Sequence, residues 1–172
     1  DWRDVVNSIV ARWPGHRNEI DRLAAGDDSG SWRSRGVTPA ARRLLDAHYH
    51  PELDDASINV LSWLIRNELL FGQSLDADAR VQLVDYDALL RDAAPQPHAL
   101  CRFLAVPGTA RLVRVADRGK VRKQPAPVVA PDIARRADAV LARLRRARRD
   151  APVDAPTSAA APPLAPVADP SA

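Results

Sequence analysis

A mostly helical fold with one short β-strand is what the sequence predicts, on three observations. Apolar residues recur at helical spacing in several separate stretches, the stretch 55–71 is apolar almost all the way round, and the period changes clearly only once, at 81–84. The 172 residues are 46% hydrophobic, enough for one domain with a substantial core.

The first helix follows from Val5, Val6, Ile9, Val10 and Trp13, with Asp4 as its N-cap and Trp13-Pro14-Gly15 as its stop, giving two to three turns. Residues 14–37 contain a weak helical stretch near Glu19–Ala25 and then a Gly/Ser/Asp loop, a composition that predicts a surface insertion. Thr38-Pro39 is an N-cap followed by proline at the first helical position, which starts a helix running to about His48. In the next helix, Asp55–Phe71, Ile58, Leu61, Leu64, Ile65 and Leu69 share one side, while Val60, Trp63 and Phe71 occupy another. Such wrapping predicts a buried helix.

Val81-Gln82-Leu83-Val84 follows a polar turn and stops at Asp85, the pattern of a short buried strand. Helical turns follow at Asp87–Arg91 and His98–Leu104, the second directing Leu100, Phe103 and Leu104 to a core before Pro107-Gly108 ends it. Residues 108–130 carry six basic side chains, Lys120 and Arg122 among them, with little periodicity, and predict a basic connection. Ile133, Ala137, Val140, Leu141 and Leu144 mark a last amphipathic helix ending near Arg149, and the Ala/Pro-rich remainder predicts a disordered tail.

Charge and composition narrow the function classes. A charged fraction of 27% with a net charge of only +3 does not point to nucleic acid or an anionic membrane. The lone Cys101 cannot form an internal disulfide, which fits a reducing, cytoplasmic setting and rules out a cysteine-based metal cluster. No apolar run approaches the ~20 residues needed to span a bilayer. With no methionine and Asp1 as first residue, the chain is expected to lack an upstream part.

A helix start exposes unpaired N–H groups and the positive end of the helix dipole, so the 1–8 segment is a candidate anion site. Ser8 falls on the side opposite Val6 and Val10 and on the same face as Arg12. Spacing alone leaves two readings open, an anion ligand or an ordinary polar surface. The histidines of His48-Tyr49-His50 do not converge as metal ligands. Arg143–Arg149 reads as a solvated helix end whose cations complement the C-terminal dipole.

Three segments carry a family resemblance. DWRDVVNS, residues 1–8, resembles the motif Arg-x-Pro-x-Asp-x-x-x-Ser of PAPS-dependent sulfotransferases of the bacterial type; the motif's arginine would precede Asp1, and Trp2 replaces its proline. VQLVDYDALLRDAAPQPHALCRFLAVP, residues 81–107, resembles the family's strand, its Tyr-Glu-Asp-Leu and its helix ending in Phe-Leu-Gly-Leu-Pro, with Asp87-Ala88 and Ala105-Val106 as departures. GKVRKQPAPVVAPDIARR, residues 119–136, resembles the late Lys-Gly-Arg-x-x-Pro loop, with Val121 in place of glycine.

The resemblance implies an α/β fold, the C-terminal part of a P-loop-type three-layer domain over 1–149, mostly helical here with one or two strands, and a tail over 150–172. It implies sulfuryl transfer from PAPS to a small-molecule or carbohydrate hydroxyl or amine, leaving adenosine 3′,5′-bisphosphate. Ser8, Lys120 and Arg122 are then expected at the cofactor's 3′-phosphate and Tyr86 near its base, with the catalytic residues upstream of this chain. The competing expectation is a helical binding module that uses basic segments 111–123 and 143–149 to hold nucleic acid or an acidic partner.

Overall fold

The computed structural model describes residues 1–12, 16–27, 37–91, 95–106 and 125–150. Its helices are α1 (Trp2–Arg12), α2 (His16–Ala24), α3 (Pro39–His48), α4 (Asp55–Gly72), α5 (Tyr86–Arg91), α6 (Pro95–Phe103) and α7 (Pro131–Asp150), with a 3-10 turn at Leu75–Ala77. None is long and apolar enough to cross a membrane. The Ala/Pro-rich tail, 151–172, lies outside the described residues.

Helix α4 is the axle of the fold, and α1, α2, α3 and α7 all pack on it. Its side chains explain why. Ile58, Val60, Leu61 and Leu64 are wholly buried, while Trp63 and Leu70 are half-buried and Arg66 is exposed, so the near-complete apolar wrapping is used on most of the helix's circumference. Around it, α1 contributes Trp2 and Val6, α3 contributes Ala41, Leu44 and Leu45, and α7 contributes Ile133, Ala137 and Val140. Burial of one such side chain is worth roughly 1.5–3 kcal/mol, and this shared core is what holds the helices together.

Caps set where the helices begin. Thr38 is extended (φ −73°, ψ 158°), and its hydroxyl accepts from the Ala41 N–H at 3.2 Å. Asp54 accepts from the Ser57 N–H at 2.8 Å. The buried Ser57 hydroxyl donates to Asp54 at 2.7 Å and accepts from the Ala130 N–H at 2.9 Å, so the start of α4 also anchors the start of α7. At the other end of α3, His48 Nδ1 meets the Asp132 carboxylate at 2.7 Å, which with its hydrogen bond to His48 is held below the usual carboxylate range. Two contacts of different kinds thus fix the first turn of α7.

Trp2 joins α1 to α7. Its ring is 2% exposed and its indole N–H donates to Asp138 at 2.9 Å. Burial disfavours the charge on Asp138, but the bonds from Trp2 and Arg3 outweigh it and hold the carboxyl below its ordinary value.

Several expectations are corrected. The α/β three-layer fold is not found: among the described residues the structure is helical, with no strand and no sheet. Val81–Val84 has strand-forming composition, but a strand exists only when another segment takes up its N–H and C=O groups, and no such segment is found among the described residues. Residues 81–85 run without regular structure from a turn in which the Arg80 guanidinium and N–H push the Asp78 carboxyl down to about 2.

Helix α2 is no surface insertion, since Ile20 and Leu23 are buried in the core. Nor is Asp4 the cap of α1. Helix α1 starts two residues earlier, where Asp1 accepts from the Arg3 N–H at 3.0 Å. In α6 the buried side chain is Cys101, whereas Leu104 is 55% exposed.

Helix α6 ends in a Schellman turn. The Val106 N–H donates to the Cys101 carbonyl and the Ala105 N–H to the Arg102 carbonyl, both at 3.0 Å, and Ala105 takes φ +51°. That left-handed conformation costs an alanine roughly 1–2 kcal/mol relative to glycine. Ala105→Gly is therefore expected to stabilise the fold by about 0.5–1 kcal/mol, allowing for the greater entropy of glycine in the unfolded chain. Thermal unfolding of the variant checks this, and an unchanged or lower midpoint counts against the turn.

Candidate functional site

Ser8 lies nearly two turns into α1, exposed, on the same side as the exposed Arg12. The free N–H groups of the helix start are not at its disposal, because the Asp1 carboxylate already sits there. The anion-site argument from the helix terminus therefore fails, and Ser8 and Arg12 are left as side-chain donors on an open helix face.

Asn7, next to Ser8, makes a contact that spacing did not announce. Its amide donates to the Pro125 carbonyl at 2.9 Å, which clasps the chain end of the basic connection to α1. Lys120 and Arg122 themselves lie outside the described residues.

Tyr86 stands elsewhere. It begins α5 with 68% of its surface exposed and lines a cleft of about 340 Å³ between Asp1, α4, α7 and the 83–87 segment. This volume falls within the range of small-ligand sites. Trp63 and Asn67 of α4 with Leu141 and Leu144 of α7 form one side, and Leu83 and Val84 the other. Leu83 and Val84, the end of the expected strand, thus serve as an apolar wall.

The charged groups at the cleft are Asp1, Asp85, Asp87, Arg145 and Arg148. Arg148 reaches Asp85 at 3.2 Å, and Arg145 reaches Asp1 at 3.7 Å. Asp85 also accepts from the Asp87 N–H at 3.0 Å. Arg145 and Arg148 are three apart on α7 and so share its cleft-facing side, a pairing visible in sequence only once the partner face is known. Ser8 does not line this cleft, so the cleft does not bring Tyr86 and Ser8 together.

The second half of the basic-module expectation, 143–149, is also placed. Arg143 stacks on Phe71 at 3.6 Å and lies 4.0 Å from Glu68, which Arg136 bonds as well. Arg145 and Arg148 are also paired with carboxylates, while Arg136, Arg143 and Arg145 remain about half exposed. Segment 111–123 lies outside the described residues. No family model, curated protein or solved structure matches the chain.

Proposed function

We propose that this chain binds the 3′-phosphate of PAPS and of adenosine 3′,5′-bisphosphate, and so serves sulfuryl transfer to an acceptor hydroxyl or amine. The Asn7–Pro125 clasp carries the reading. It fixes Pro125, where the basic stretch ends, against the helix on which Ser8 and Arg12 stand exposed, and this favours a reading in which two distant parts of the sequence serve one phosphate. The Ala105 turn lends further support: its positive φ falls where the resembled pattern has glycine, the residue that such a backbone favours.

Each partner has a plain role. Ser8 donates a hydroxyl hydrogen bond to a phosphate oxygen, and Lys120 and Arg122 supply charge-assisted bonds. Tyr86 is not needed for this reading. Bound PAPS supplies the activated sulfuryl group; no residue of the chain is assigned a catalytic step. The proposal concerns the binding site and keeps the helical architecture.

Hydrogen bonds to charged groups are worth about 1.5–3 kcal/mol each, which corresponds to roughly 10-fold to 150-fold in affinity. Calorimetric titration is expected to give tighter binding of adenosine 3′,5′-bisphosphate than of adenosine 5′-monophosphate. Ser8→Ala and Arg122→Ala are each expected to reduce that preference by a factor in this range. Equal affinity for the two nucleotides would overturn the proposal.

A further inference from the structure

The cleft beside Tyr86 has a charge balance that selects its ligand. Both guanidinium groups lining it already have carboxylate partners, Arg148 with Asp85 at 3.2 Å and Arg145 with Asp1 at 3.7 Å. Asp87 is different. It lines the same cleft, and among the described residues its carboxylate takes part in no ion pair or hydrogen bond; only its backbone N–H is engaged, with Asp85.

An anionic ligand would have to separate an arginine from its aspartate before gaining a contact of its own. A cation has no such cost, since Asp87 is available as it stands. Two aromatic side chains, Trp63 and Tyr86, line the same space, and ring faces attract a cation further. Leu83, Leu141 and Leu144 supply apolar surface for the uncharged part of the same molecule. The volume of about 340 Å³ suits a molecule of one ring and a short arm.

We infer that the cleft between α4, α7 and the 83–87 segment is a binding site for a small organic cation, an ammonium group on an aromatic or alkyl body. The ammonium pairs with Asp87 and rests against Trp63 and Tyr86, and the body lies on the leucine wall. This site is separate from the proposed 3′-phosphate site, because Ser8 does not line it, and it stands whether or not that proposal holds.

The test is a titration of the full chain, followed by the backbone amide NMR signals of 83–87 and 141–148, with three probes of similar shape. They are 2-phenylethylamine, neutral 2-phenylethanol and anionic 3-phenylpropionate. The amine is expected to bind saturably and at least tenfold more tightly than either of the others. Asp87→Asn is expected to remove most of this preference, a loss of about tenfold or more, while leaving adenosine 3′,5′-bisphosphate binding unchanged. Ser8→Ala is expected to leave amine binding unchanged, so failure of one site is distinguishable from failure of the other. Asp87 lies in the first turn of α5, where its charge complements the helix dipole, so the variant is expected to unfold within about 5 °C of the parent. Binding of the anion as tight as that of the amine, an Asp87→Asn variant with unaltered amine affinity, or no saturable shift with any probe would each overturn the inference.

Discussion

Leu61→Ala is expected to lower the free energy of unfolding by about 2–5 kcal/mol. Leu61 is wholly buried in α4, the helix on which α1, α2, α3 and α7 all pack, so no single neighbour can move in to fill the space without leaving another contact. A domain of this size has only about 5–15 kcal/mol in total, and the substitution removes a large part of it. Urea unfolding followed by helical circular dichroism measures the loss. A change below about 1 kcal/mol would mean that α4 is not the centre of the core.

The second large effect is expected at Trp2. Trp2→Ala removes the biggest buried side chain at the α1–α7 contact and should cost about 3–5 kcal/mol. Two contributions can be separated by Trp2→Phe, which keeps most of the ring and loses the N–H bond to Asp138. Because the Asp138 side chain is 51% exposed, water replaces that donor, and the phenylalanine variant is expected to lose only about 1 kcal/mol. Chemical denaturation of both variants decides the matter. If phenylalanine costs as much as alanine, the hydrogen bond and not packing holds α1 to α7.

These two residues also illustrate what could be read in advance. Leu61 lies in a stretch whose apolar residues cover every face, and only a central helix tolerates that, so its burial was legible from spacing alone. The Thr38-Pro39 start of α3 and the Ile133/Ala137/Val140 face of α7 were legible for the same reason, since caps and periodicity are local properties of the chain. Trp2 was not. The helix was expected to begin after Asp4, which left Trp2 outside it, and the acceptor of its indole N–H lies 136 positions away.

The strand expected at 81–84 failed on similar grounds. Its β-branched and apolar residues favour extended backbone, but pairing needs a neighbour that local composition cannot supply, and 81–85 run without regular structure. Helix α2 was underestimated because two apolar residues, Ile20 and Leu23, suffice to dock a short helix when a groove is ready for them. At α6 the register was misjudged by a few positions, and Cys101 took the buried place expected for Leu104.

For the candidate sites the division is clearer still. Ser8, Lys120, Arg122 and Tyr86 were singled out by resemblance in three separate segments, and nothing in their spacing said which of them meet. The Asn7–Pro125 clasp joins positions 118 apart, and the cleft draws its walls from Asp1, α4, α7 and the 83–87 segment. By itself the sequence determined most of the helices, the Thr38 cap and the burial of α4, because hydrophobic period and capping chemistry act over a few residues. Only the tertiary structure decided that Leu83 and Val84 line a cleft and pair in no strand among the described residues, that Arg145 and Arg148 are paired, and that Ser8 lies outside the cleft that Tyr86 lines. Those outcomes depend on which distant side chain occupies the same few ångströms, and helix packing is what settles that.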